Sequence, residues 1–522
     1  MNRSRRLLTI PLALTLSLAI SLPAAARDKG SERVLETYAR DTWASFVAMT
    51  DPATGLPSDN IGGNLDPATR ARYTSPTNIG MYIWATLAAR DLKLIKEKEA
   101  RNRIAQTLES VSRLERHEPS GQFWNWYDPT KGQKLTVWPD PPYNSVTPFA
   151  SSVDNGWLAS AFLMVANGGV PQLRREARAL LESMNFGCYY DPAAKSDVGL
   201  IRGGFWEDPQ PGSVPGDYCG MGEQVWYTGH HYGAFNTEPR IASYIGIAMG
   251  DIPPEHYFGG WRTFPDTCDW SWPEMKPIGT WREYMGVDVF EGAYRYDDQL
   301  IVPTWGGSMF EALMVPLVVP EEDWGPTSWA VTHPLYVESQ IEYGLDEARY
   351  GYWGFSPSSD PAGGYREYGV DQIGMDPPDA TNPAGGYTSD QERQTLVDLG
   401  WDDPACPRAP KPITNYGQGV VTPHAAFLAL DFAPDETLAN LANLKADFPA
   451  LYGRGGFKDA VNVATGQVAD RYLSLDQGMV IAAIANELNK DKLQRYFSRG
   501  EVEKALKPLM RMETFGAGRT AP

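Results

Sequence analysis

The sequence predicts an all-α fold in which helical hairpins form a ring. Three observations predict it. Apolar residues recur at i, i+3 and i+4 in segment after segment, as in LETYARDTWASFVAM and LDQGMVIAAIANEL. Few segments alternate as strands do. Long aromatic, Gly- and Pro-rich loops separate the helical segments at 118–150, 195–235, 256–305 and 351–390. Loops of that length are usually functional. A ring of hairpins would gather them at one end as a cleft.

The elements follow in order. MNRSRR is a basic start, LLTIPLALTLSLAISL an apolar run, and Ala24-Ala25-Ala26 a small-residue cleavage site before Arg27. Residues 1–26 therefore read as a secretory signal peptide. The mature chain is expected to be secreted or periplasmic, and no Cys near the cleavage site suggests a lipid anchor. Helices are expected over 33–49, 77–95, 100–115, 151–166, 172–184, 238–250, 307–318, 334–347, 388–399, 422–430, 435–445, 473–488 and 499–512. The stretch RYTSPTNIG at 72–80 starts the second of these. Ser75 or Thr74 can cap it, and Pro76 suits a first helical position. Thr77 and Asn78, so early in an apolar helix, need another reason. No linker, charge block or low-complexity tract divides residues 27–522, which read as one domain.

The formal net charge is −19, which argues against nucleic acid and anionic membrane surfaces as partners. The chain is expected to be a monomer. The cysteines are Cys188, Cys219, Cys268 and Cys406. In an exported chain they allow up to two disulfides, in any of three connectivities. Their spacing has no zinc pattern. The chain carries 17 Trp and 26 Tyr, many in polar loops such as FWNWYD, EQVWYTGHHYG, PTWGG and YGYWGFS. Aromatic rings among Asp, Glu, Asn and Arg suit the apolar faces and hydroxyls of sugars. Trp126, Trp157, Trp226, Trp305 and Trp353 are candidate platforms.

Several carboxylates stand at or near expected helix starts: Asp154, Glu238, Glu311 and Asp476; Asp360 lies in a loop. A helix N-terminus favours a carboxylate through its dipole and orphan N–H groups. In a ring of hairpins, inner helix ends would also point these groups into the cleft together. Two carboxylates flanking a glycosidic bond are the equipment for hydrolysing it. There is no G-x-S-x-G elbow, P-loop or H-E-x-x-H pattern. Adjacent His230 and His231 in a loop fit hydrogen bonding better than metal ligation. No cofactor or metal is predicted.

At this point YTSPTNIGMYIWATLAARDL, FWNWYDPTKG and SSVDNGWLASAFLM resemble the glucoamylase-like domains of cyclic β-1,2-glucan synthases and their relatives. PTWGGSMFEALMVPL resembles their Gly-Ser-Met-Phe-Glu segment. WGFSPSSDPAGGYREYG resembles a loop of secreted endo-β-1,2-glucanases, and GRGGFKDAVN and YLSLDQGMVIAAIANE resemble their closing segments. The likeness runs in order across about residues 33–512. It implies an (α/α)6 toroid acting on β-glucan, with β-1,2-glucan as the substrate, and it implies Glu238 as general acid. Two departures stand out. Thr237-Glu238-Pro239-Arg240 replaces Ser-Glu-Ala-Arg. Gly354-Phe355-Ser356-Pro357-Ser358 replaces Gly-Ile-Ser-Glu-Ser, so a second synthase-type Glu is missing.

These readings converge on an exported endo-acting glycoside hydrolase of β-1,2-glucan, expected to invert. Glu238 would be the acid, and Asp154 or Asp360 would activate water. Asn78, Trp126, Trp157, Glu223, Trp226, His231, Arg240, Trp305, Glu311, Trp353, Tyr365 and Asp476 would hold substrate. The alternatives are an exo-hydrolase or transglycosylase of another linkage in the same fold, and a non-catalytic glycan-binding protein.

Overall fold

The computed structural model describes residues 29–265, 276–375 and 419–520. The signal peptide expected over 1–26, the helix expected over 388–399, and Cys268 and Cys406 lie outside the described residues. The main helices are α1 (Lys29–Met49), α2 (Pro76–Asp91), α3 (Glu97–Val111), α4 (Ser152–Met164), α5 (Arg174–Glu182), α6 (Arg240–Met249), α7 (Met309–Leu313), α8 (Trp329–Glu342), α9 (Pro423–Leu428), α10 (Pro434–Asp447), α11 (Ser474–Asn489) and α12 (Glu501–Met512), with further short helices, among them Lys492–Phe497, between them. Most lie within a few residues of the expected spans. Prolines explain one of the differences. Pro316 has no N–H to give, and the helix expected over 307–318 breaks after Leu313 into a single tight turn, Val315–Leu317.

Helices α2, α4, α6, α7, α9 and α11 are buried on almost every side. A helix apolar all round must be covered all round. They cover one another in sequence: α11 packs on α2, α2 on α4, α4 on α6, α7 on α9, and α9 on α11. Arg240 links α6 to α7 by donating to the carbonyls of Glu311 and Ala312 (2.9 and 2.6 Å). The remaining helices pack outside: α3 on α2, α5 on α4, α12 on α6, α8 on α7, α10 on α9, and α1 on α11 and α2.

Glycine lets the buried helices approach. A Cβ at Gly80 would lie 2.8 Å from the carbonyl oxygen of Trp157 on α4. On α11, a Cβ at Gly478 would lie 2.7 Å from the side chain of Met81 on α2.

The chain is helix-rich but not all-α. The segment 256–305, expected as a loop, contains an antiparallel hairpin, Ile278–Tyr284 with Val287–Tyr296, extended by Gln299–Ile301 and Gly518–Arg519. Met285 and Gly286, both at positive φ (52° and 83°), make its two-residue turn. Alternation is faint here because most of Val287–Tyr296 is buried on both faces. The loop at 195–235 holds a second sheet, with Ala150–Ser151, Gly204–Trp206, Val225–Tyr227 and Val214–Gly216 side by side. A disulfide between Cys188 and Cys219 closes this region. Among the described residues no helix is long and apolar enough to cross a membrane.

Two substitutions test this packing. Gly80→Ala sets a methyl group against a backbone carbonyl that cannot rotate away, and should cost about 1–3 kcal/mol in urea unfolding; an unchanged midpoint would refute the close α2–α4 approach. Arg240 is paired with Glu321 (2.8 Å) where both side chains are at most 2% exposed. Arg240→Met should cost about 3–5 kcal/mol by stranding that carboxylate, and adding Glu321→Met should recover much of the loss.

Candidate active site

The buried helices bring their N-terminal ends to one place. Ser75 caps α2 and Ser151 caps α4, each hydroxyl accepting a backbone N–H three residues on, from Asn78 and Asp154. Thr77 and Asn78 are thereby free of capping, and each reaches a carboxylate outside its own helix. The Thr77 hydroxyl donates to Asp154 Oδ1 at 2.7 Å. Asn78 Nδ2 donates to Asp59 Oδ1 at 2.9 Å. The early polar pair in TSPTNIG thus ties α2 to two acidic groups.

From Asp154 the acidic line continues to Glu238. The indole N–H of Trp157 donates to Glu238 Oε2 at 2.7 Å. The backbone N–H of Glu238 donates to Glu311 Oε2 at 2.8 Å, and the Thr237 hydroxyl donates to the same oxygen. Glu311 reaches that position because the Gly306-Gly307 turn delivers the start of α7. Gly307 has φ 68°, and a Cβ there would lie 1.9 Å from the Val370 carbonyl. Glu238 itself is only partly buried, as is Asp154, whereas Glu311 is buried.

Burial raises the proton affinity of Glu238 well above the ordinary carboxylate value. The charges of Glu311 and Asp154 add to the effect, and the Trp157 bond and Arg240 oppose it. Glu311 is raised by burial, against the Thr237 and Glu238 donors and Arg240. The arrangement therefore presents a partly accessible carboxyl that keeps its proton beside other acidic groups.

A second acidic group lies at the starts of α9 and α11. Asp476, Asp459 and His424 are each at most 3% exposed. One ligand-type atom from each lies within 4.8 Å of the others, so this trio is where a metal ion could be held. The backbone N–H of Ser359 donates to Asp459 Oδ2 at 2.7 Å. Asp476 is pushed well above its ordinary value by burial, then by Asp459 and Asp59. Asp59 is raised by burial, with the Asp154 charge adding to it. Asp59 thus lies within electrostatic reach of both acidic groups.

The other expected residues are distributed as follows. Tyr365 is half-exposed, and burial of its hydroxyl together with Asp476, Asp459, Glu367 and Asp59 raises its proton affinity; it borders the second group. Trp126 packs edge-on with Tyr73 and Trp138 (5.3 and 6.1 Å between centroids), and Tyr73 adjoins Asp59. Trp305 is partly buried just before the Gly306-Gly307 turn. Asp360 is held in its own turn by Arg366 (2.9 Å), the Tyr368 hydroxyl (2.9 Å) and the Ala362 N–H (2.7 Å).

Three expected substrate contacts have other work. Trp157 and Trp353 are 1% exposed and offer no ring face. Trp157 is instead the donor to Glu238, and the Trp353 backbone is bonded to Asn440. Arg240 spends all its donors on Glu321 and on the carbonyls of Thr237, Glu311 and Ala312. Glu223, Trp226 and His231 belong to the disulfide-closed region. Glu223 is exposed, Trp226 sits on a strand paired with Trp206, and His231 bonds Asp191 at 2.9 Å together with Arg202 and Tyr218.

Sequence reasoning passed over Asp59, Asp459 and His424. Asp59 sits in a loop far from any helix start, and Asp459 lies in GRGGFKDAVN with no periodic context. His424 opens α9 like any first-turn polar residue. Only the fold sets them beside Asp476.

Comparison with known proteins bears on these groups. Residues 277–501 match the family model described as “Putative glucoamylase”, and residues 37–187 match a model of a protein of unknown function. The chain is 24% identical to a cyclic β-(1,2)-glucan synthase of Rhizobium meliloti, over 92% of its own length and 19% of that protein's. It is 20% identical to an exo β-1,2-glucooligosaccharide sophorohydrolase of Parabacteroides distasonis, over 55% of its own length and 35% of that protein's. It therefore spans about a fifth and a third of these two relatives. Its fold is similar to that of the endo-β-1,2-glucanase from Chitinophaga pinensis (TM-score 0.60, 16% identity, 93% of this chain and 98% of that one). The resemblance to glucoamylase-like proteins, read first from sequence motifs, thus holds for matched sequence over residues 277–501, and the likeness to endo-β-1,2-glucanases holds for fold.

Proposed function

We propose that this chain is an exported glycoside hydrolase that cuts β-1,2-linked glucan internally, on an (α/α)6 toroid. The cycle of packed inner helices, each with an outer partner, supports the toroid. One observation carries the chemistry: Glu238 is a partly accessible carboxyl whose surroundings favour its protonated form. That is what a general acid for a glycosidic leaving group requires.

In this reading Glu238 protonates the leaving oxygen, and the Trp157 N–H fixes which carboxyl oxygen is turned toward the substrate. Glu311 holds the first turn of α6 in place and keeps the Glu238 proton affinity high. Asp154 activates the attacking water. It is favoured over Asp360 because Asp360 is held by a cation, a phenol and a backbone N–H, whereas the side chain of Asp154 accepts one bond, from Thr77. Trp126 with Tyr73, and Tyr365, are the accessible rings that border the acidic groups. The attack is expected to invert the anomeric centre, since Pro357 stands where the synthase-type Glu would be. An exo mode is the second reading, favoured by the sophorohydrolase similarity.

The test is reducing-end release from linear β-1,2-glucan beside a panel of other glucans. A ladder of oligosaccharides from β-1,2-glucan alone is expected; disaccharide as sole early product would establish the exo mode, and inactivity on every glucan would overturn the reading. Glu238→Gln should lower kcat about 10²–10⁴-fold with an unchanged melting temperature.

The pH profile gives a separate check. The acid must be protonated, so activity is present below the raised Glu238 value and is lost as pH rises through it. Glu311→Gln removes a negative charge that raises that value. Its alkaline limb should therefore move to lower pH; a limb that stays or moves up would refute the Glu238 assignment.

A further inference from the structure

The trio at the starts of α9 and α11 is not explained by acid–base hydrolysis. Asp476 is 2% exposed, and neither carboxylate oxygen accepts from a protein N–H or hydroxyl, its one side-chain neighbour in bonding reach being the carboxyl of Asp459. Asp459 Oδ1 and both ring nitrogens of His424 are also buried without a partner. Buried polar atoms are ordinarily satisfied, and a buried carboxylate without a counter-charge is costly. The cations beside Asp459 and Tyr365 in the chain are paired elsewhere: Lys458 with Asp470 and Arg366 with Asp360. Among the described residues, the further groups that act on Asp476 or feel its charge are Asp59 and the Tyr365 hydroxyl, neither of them positive.

The geometry points to a divalent-cation site formed by His424, Asp459 and Asp476. The spacing suits one. His424 Nδ1 and Asp476 Oδ2 are 3.6 Å apart, beyond a hydrogen bond but near the separation of two ligands on one small cation. All three ligand-type atoms lie within 4.8 Å of one another, so small side-chain adjustments bring them to metal–ligand bonds of about 2.0–2.2 Å. Imidazole with two carboxylates suits Zn²⁺ or Mn²⁺ rather than a hard oxygen-only ion. The Ser359 N–H on the far oxygen of Asp459 orients that ligand, as outer partners do in metal sites. Three protein ligands leave room for water or for a pair of sugar hydroxyls.

The experiment is calorimetric titration of the chelator-treated, desalted protein with ZnCl₂, MnCl₂ and CaCl₂, each alone and without glucan. About one equivalent of Zn²⁺ or Mn²⁺ should bind, with a rise of a few degrees in melting temperature at a hundredfold excess over Kd. His424→Ala and Asp476→Asn should each weaken binding at least tenfold. His424→Gln, which keeps bulk and polarity, guards against a folding defect and should weaken binding equally. Titrations that show no uptake, or uptake identical in all three variants, would overturn the site and leave the carboxylates to share protons. Because no sugar is present, this result stands or falls apart from the hydrolase reading.

Discussion

One carboxylate oxygen holds the candidate site together. Glu311 Oε2 accepts from the Glu238 N–H and from the Thr237 hydroxyl, so the first turn of α6 is fixed to the first turn of α7. The same charge raises the proton affinity of Glu238. Glu311 thus both positions Glu238 and adds to the burial that raises its proton affinity, and Arg240 braces the junction from beneath through the carbonyls of Thr237, Glu311 and Ala312. A buried guanidinium that satisfies three carbonyls and a carboxylate leaves the start of α6 little freedom to move.

That junction matters because the helices behind it are packed closely at glycines. Gly80 and Gly478 let α2 approach α4 and α11 to within contact of a carbonyl and a side-chain methylene. The resulting core has no soft layer to absorb a shift. Helix starts that converge on a rigid core keep their side chains in fixed relation, which general acid catalysis requires of its carboxylates. The cost is a concentration of buried acidic groups, expressed in the raised proton affinities of Asp59, Glu238, Glu311 and Asp476.

Part of the site was legible without coordinates. Asp154, Glu238, Glu311 and Asp476 stand near helix starts by sequence spacing, and the structure sets each of them there. The platforms were less legible. Trp157 and Trp353 look like loop-adjacent aromatics in sequence, yet both are buried, since exposure depends on what the rest of the chain lays over them. The hairpin at 278–296 was hidden for the same reason: a strand buried on both faces loses its alternation.

The sequence by itself determined the helix content, the order of the helices and which carboxylates start them, because apolar period, proline and capping residues act over a few residues. Only the tertiary structure decided which of those starts meet. Asp59 comes within reach of Asp476 across 417 positions of chain, His424 joins it across 52 and Asp459 across 17, and Thr77 finds Asp154 across 77. Such contacts rest on the closing of helix against helix, and no local pattern encodes them.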